Sequence, residues 1–195
     1  MHKVIRIILY AKTSEEALTK AKELFEKELV PRPFDYGAFF DDNESTMSGK
    51  ARWGSLPAVA RADSNEGKQL IQEGMIATKR DFEDYIIRIR EVLNLYSDEE
   101  IWHKKILDKN KKMLEVIEEN NDKKDKLFDL SMFKHFCFKL GDYYDGWLYG
   151  NDGELINDEE HLKNVLDKWK TLYEAKKKDP YKGLDVWVIP VDIHQ

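Results

Sequence analysis

The sequence predicts an α+β domain of the ferredoxin-like sandwich type: a mostly antiparallel sheet, helices on one face, and an inserted helical hairpin. Three observations carry this expectation. Val4–Tyr10 (VIRIILY) and Leu184–Ile193 (LDVWVIPVDI) are β-branched apolar runs near the two ends of the chain. Helical periodicity follows the first run and precedes the second. Between them, approximately residues 78–120 form a highly charged stretch that also has helical spacing. The expectation is one α+β domain over residues 1–195 with that stretch inserted in it.

The elements follow in order. VIRIILY is apolar at nearly every position, the pattern of a strand covered on both faces in mid-sheet. Thr13-Ser14-Glu15-Glu16 is a capping-box start for a helix carrying Ala17, Leu18, Ala21, Leu24, Phe25 and Leu29. Pro31 and Pro33 end it. Two short strands joined by a polar loop fit residues 34–57, and Ala58–Ala62 reads as another strand. Asn65–Ala77 reads as a short helix interrupted by Gly67 and Gly74, and Thr78 with Asp81 as a new helix start. Phe82, Tyr85, Ile86, Ile89, Val92, Leu93 and Tyr96 then form a helical stripe. A second capping box at Ser97–Glu100 opens a partner helix through Ile117. Met132–Leu140 alternates and reads as a strand; Trp147–Ile156 reads as a hairpin turning at Asn151-Asp152-Gly153. Asn157 caps a helix carrying Leu162, Val165, Leu166 and Trp169. Pro190 cannot donate to a ladder, which puts the end of the last strand at a sheet edge or bulge.

Composition bounds the function. The chain has 195 residues, 32 Lys and Arg against 38 Asp and Glu, and a net charge of −6. Aromatic residues make up 12%, too many for a disordered chain. No apolar run approaches the roughly 20 residues that span a membrane, so a cytoplasmic location without membrane contact is expected. The one cysteine, Cys137, excludes an internal disulfide and a cysteine zinc cage. Lysine clusters are interleaved with acids throughout, which speaks against nucleic-acid binding. No phosphate-cradling glycine loop, nucleophile elbow or paired helical histidines occur, and no cofactor is expected.

FDYGAFF, ARWG, GWLYG and the closing WVIPVDIH together resemble a loose group of uncharacterised phage and mobile-element proteins. The matching positions are Phe34-Asp35-Tyr36, Arg52-Trp53-Gly54 and Val191-Asp192-Ile193-His194. The resemblance implies a ferredoxin-like fold and a viral or mobile-element origin, and implies no activity.

Several residues suggest sites. Arg52 beside Trp53 offers a guanidinium and an indole to an anion or a base. Tyr143, Tyr144 and Trp147, among Asp142, Asp145 and Tyr149, form an aromatic loop suited to binding. Asp192 and His194 stand two apart on a strand and so share a face. His135 and Cys137 would do the same, and are read as sheet-face residues. Asp41, Asp42 and Glu44 form an acidic loop without calcium-loop spacing.

The leading expectation is a non-catalytic binding protein acting on a host macromolecule or sequestering a small ligand through Arg52, Trp53, Tyr143, Tyr144 and Trp147. Trp102 and Met113 on the inserted helices suggest self-association. The alternative is a metal-dependent phosphodiesterase or nucleotide-processing enzyme. It would use Asp192, His194 and one of Asp35, Asp42 or Asp145 as ligands, with Arg52 on phosphate. A third reading is nucleotide binding by Arg52 and Trp53 without chemistry.

Overall fold

The computed structural model describes residues 2–29, 36–41, 47–54, 56–99, 101, 133, 136–137, 147–167 and 183–194. The chain divides into two compact units, residues 1–79 with 146–195, and residues 80–145. The fold is α+β.

The first unit is built on β1 (His2–Ala11) and β5 (Asp185–His194), which pair antiparallel over their full lengths from His2↔His194 to Ala11↔Asp185. β2 (Tyr36–Phe39) and β3 (Ala60–Arg61) both pair antiparallel with the outer side of β5, at its two ends. β4 (Leu148–Tyr149) pairs parallel with β1 on the opposite side. VIRIILY is thus an interior strand, as its nearly continuous apolar run predicts. β1 and β2 each run antiparallel to β5, so they are parallel to each other with β5 between them. With α1 (Ser14–Leu24) connecting them, they form a split βαβ unit.

β5 is interior too, and Pro190 stands in the middle of it, not at an edge. The hydrogen-bond pattern accounts for this. Arg6, the register partner of Pro190, donates its N–H to the Trp147 carbonyl at 2.8 Å, away from β5. Arg6 and Pro190 are therefore a non-hydrogen-bonded pair, and the proline nitrogen faces the other side of β5. There β2 pairing stops at Val191 and β3 pairing begins at Val188. The missing donor falls in the gap between them.

Helices cover both faces of the sheet, where one face was expected. α1 lays Ala17 and Ala21 on the face formed by Ile5, Ile7, Leu9, Ile189 and Val191. Thr13 caps it, its hydroxyl accepting from the Glu16 N–H. The helix continues as a π-helical turn, Phe25–Leu29, whose Phe25 packs edge-on against Phe39. On the other face Ile8, Leu148 and Val188 meet Leu70 and Ile71 of α3 (Asn65–Leu95) and Val165 of α4 (Glu159–Leu166). Both faces are covered because the two strands are apolar at successive positions, not at alternate ones. The Tyr10 hydroxyl donates to the Val165 carbonyl at 2.7 Å and ties α4 to the sheet. Asp158, one residue after the expected cap, is the residue that caps α4.

α3 is one helix, not two. Thr78 does not begin a new helix; it is 1% exposed, and its hydroxyl accepts the Trp147 N–H at 3.1 Å. Gly74 is not a break but a close approach. A Cβ there would stand 2.7 Å from the buried Leu148 side chain. α3 contributes residues to both units.

In the second unit, Phe133, Phe136 and Cys137 are helical, so the strand expected over Met132–Leu140 is not formed at those positions. Phe133, Phe136 and Cys137 also stand at three- and four-residue spacing, so the alternation that suggested a strand suits a helix face equally. The Phe136 ring lies 5.5 Å from that of Tyr85. The expected partner helix lies outside the described residues beyond Ile101.

Candidate functional site

One end of the sheet carries a polar cluster on the face that β1 and β5 turn toward α3. Two cross-strand rows build it. His2, His194 and Tyr36 form the outer row, and Val4, Asp192 and Ala38 the next. Residues opposite one another in register share a face, so these side chains stand together.

Asp192 has 0% exposure. A carboxylate removed from water costs several kcal/mol unless hydrogen bonds replace the water. Here the Gly49 N–H donates to Oδ2 at 2.8 Å, and the His2 Nδ1 lies 3.2 and 3.3 Å from the two oxygens. His2 meets His194 edge-on, ring centroids 5.2 Å apart. The segment 47–54 folds over this carboxylate. Its Ser48 is buried, and the hydroxyl lies 3.1 Å from that of Tyr36.

Gly49 makes the fold-over sterically feasible. Its φ of 55° lies where L side chains are strained, and an added Cβ would stand 3.3 Å from the Phe39 carbonyl. From there the chain enters the single turn α2 (Lys50–Trp53), closed when Gly54 donates to the Lys50 carbonyl at 3.0 Å. The Arg52 Nε donates to the Met47 carbonyl at 3.1 Å, which ties the turn shut. Lys50 and Trp53 are three residues apart and share the outward side of that turn. Trp53 is 40% exposed, Met47 73% and Tyr36 46%.

A surface turn bearing Arg, Lys and Trp is thus held on a buried carboxylate. Residues 1–112 of the chain match a family described as a domain of unknown function, DUF7995. The chain belongs to that family. No curated protein and no solved structure matches it. The DUF7995 match takes in His2, Tyr36, Ser48, Gly49, Arg52 and Trp53, and ends before Asp192 and His194. The segment 47–54 thus lies inside the family match and its anchor on β5 outside it.

Of the residues singled out from sequence, the DUF7995 fold brings Asp192 and His194 together on one face and sets Arg52 and Trp53 on the turn above them. Trp147 is a correction: it is 8% exposed, with Lys3 Nζ 4.6 Å from its ring centroid, and Tyr149 is buried as well. Both sit where β4 joins the sheet, so neither is an exposed loop aromatic. Tyr143, Tyr144, Asp142 and Asp145 lie outside the described residues, as do Asp35, Asp42, Glu44 and His135. Asp41 pairs with Lys22 at 2.6 Å. Among the described residues no group of three His, Cys, Asp or Glu side chains is arranged to hold a metal ion. Cys137 is exposed, and partial desolvation pushes its thiol up, away from the nucleophilic thiolate.

Sequence reasoning missed His2, Ser48 and Gly49. The signal for His2 was the length of the two terminal strands: pairing them end to end sets the second residue against the penultimate one. For Gly49 there was no signal, since Ser48-Gly49-Lys50 reads only as a fragment of a phosphate loop. Arg6 was also missed. It is buried on the same face, donating to the Val4 carbonyl at 2.6 Å and to Glu73 at 3.0 Å. Burial lowers its pKa, and Glu73 opposes that shift.

Proposed function

We propose that this DUF7995 protein is a non-catalytic binding protein, of viral or mobile-element origin, that grips a host macromolecule through the surface of Tyr36, Met47, Arg52 and Trp53. The observation that carries the reading is the burial of Asp192. Its carboxylate is spent on the Gly49 N–H and on His2, so it holds the turn and does not face a substrate. What the turn exposes is Arg and Trp, the residue types that anchor interfaces. The metal-dependent alternative needs Asp192 as an open ligand, and no observation favours it. The scaffold supports the ferredoxin-like comparison in its first half, the split βαβ of β1, α1 and β2. No helix among the described residues is long and apolar enough to cross a membrane.

The test is photo-crosslinking in cells. A photoreactive residue at Met47 should capture one discrete partner, and Trp53→Ala in the same chain should abolish the capture. The same residue at Lys27, exposed on the π-helical turn, should capture nothing discrete. Equal yields from both positions, or capture indifferent to Trp53→Ala, would count against the binding surface.

A further inference from the structure

The charges on this turn say what kind of partner fits it. Lys50 and Arg52 are exposed and, among the described residues, stand in no ion pair. Of the other described arginines, Arg6, Arg61, Arg80 and Arg88 each stand against a carboxylate, Glu73, Asp63, Asp81 and Glu91 respectively, while Arg90 on α3 also stands in no ion pair among the described residues. In a chain of net charge −6, residues 47–54 carry Lys50 and Arg52 and no acid, so the turn itself is positive although Asp41, Asp42 and Glu44 precede it in the sequence. The Arg52 Nε is committed to the Met47 carbonyl, which fixes the guanidinium plane and leaves its terminal nitrogens to an outside acceptor. Trp53 lies beside them with 40% of its surface in water.

We infer that the turn Met47–Gly54 receives an acidic polypeptide segment, its carboxylates pairing with Lys50 and Arg52 while a neighbouring apolar side chain packs on Trp53. This rests on the binding-protein reading and names its partner's chemistry. Charge complementarity selects the class. Carboxylates of a short segment meet two cations locally. A nucleic acid brings a continuous line of phosphates, and the net charge of the whole chain repels it. The turn is also preorganised, because the Gly49 N–H is already fixed to Asp192, so little ordering is left for the partner to induce.

The experiment uses the full chain and three fluorescein-labelled probes: a short peptide of Glu and Leu, the same peptide with Gln for Glu, and single-stranded oligothymidylate. Anisotropy should show binding of the Glu peptide alone, weakening as salt is raised. Lys50→Glu with Arg52→Glu should weaken it about tenfold or more, and Trp53→Ala similarly. Thermal melting of Lys50→Glu alone and of Trp53→Ala should match the parent, because both leave in place the Arg52–Met47 hydrogen bond that ties the turn shut. Equal binding of the Gln peptide, lost in Trp53→Ala, would keep the binding surface and overturn the acidic partner. Tighter binding of the oligonucleotide would overturn it in favour of nucleic acid. Absence of Glu-peptide binding at millimolar concentration would overturn it outright.

Discussion

Asp192 and Gly49 act as one unit although 143 positions separate them. Replacing Asp192 with Asn keeps the shape and removes the charge that makes the Gly49 hydrogen bond strong. A buried donor left with a poorer acceptor costs about 1–3 kcal/mol. Asp192→Asn should lower the melting temperature accordingly, read by calorimetry, and an unchanged melt would mean the carboxylate holds nothing. At this scale the sequence was partly legible. The two-residue spacing of Asp192 and His194 showed a shared face. It did not show that the carboxylate would be sealed under a turn, because burial depends on which distant segment covers the strand. Trp147 misled for the same reason: an aromatic that follows a glycine and the tyrosine pair looks like a loop residue until β4 is seen to pair with β1.

Element boundaries follow where side-chain hydrogen bonds go. Thr78 has the composition of a helix cap, but its hydroxyl is taken by the Trp147 N–H, and α3 runs on. Gly74 shows competing terms. Gly74→Ala would gain about 1 kcal/mol of helix propensity. Its Cβ would meet Leu148, itself 0% exposed, and overpacking of that kind costs about 1–3 kcal/mol. Net destabilisation is expected in urea unfolding, and a stabilised variant would show that α3 can move off β4. Pro190 gives the opposite case. Its nitrogen faces the gap between β2 and β3, so Pro190→Val restores a donor with no ladder partner to receive it. Pro190 is buried, so this unpaired N–H should destabilise the variant by about 1–3 kcal/mol in urea unfolding, and an unchanged midpoint would show that the gap between β2 and β3 supplies an acceptor. These elements were legible as types from periodicity alone. The joining of two helices into α3 and the interior position of β5 were not, since both depend on tertiary partners.

For the whole molecule, acid sensitivity follows from exposed carboxylates with good partners. The Asp63 carboxyl is held low chiefly by its hydrogen bond from Arg61, and that of Glu16 by Lys20 and then the Lys12 N–H. Both folded values lie below the unfolded ones. Their stabilisation is therefore complete above the ordinary carboxylate range and is lost as pH falls through the folded values. Melting temperature should hold from pH 7 to about 5 and fall below about pH 4, less steeply in high salt and in Glu16→Gln. The α+β class was legible in the sequence because two long β-branched apolar runs read as strands and the periodic stretches between them as helices. The covering of both faces was implicit in those runs, yet the helical periodicities did not say which helix took which face. What unites the first unit is that its terminal strands pair along their whole length and hold the turn at residues 47–54 over their polar end. Amide exchange at Gly49, compared between the parent chain and Asp192→Asn, tests that directly. A Gly49 N–H held by a buried carboxylate should exchange slowly and speed up by roughly ten- to a hundredfold in the variant. Equal, fast exchange in both would mean that Asp192 does not anchor the turn.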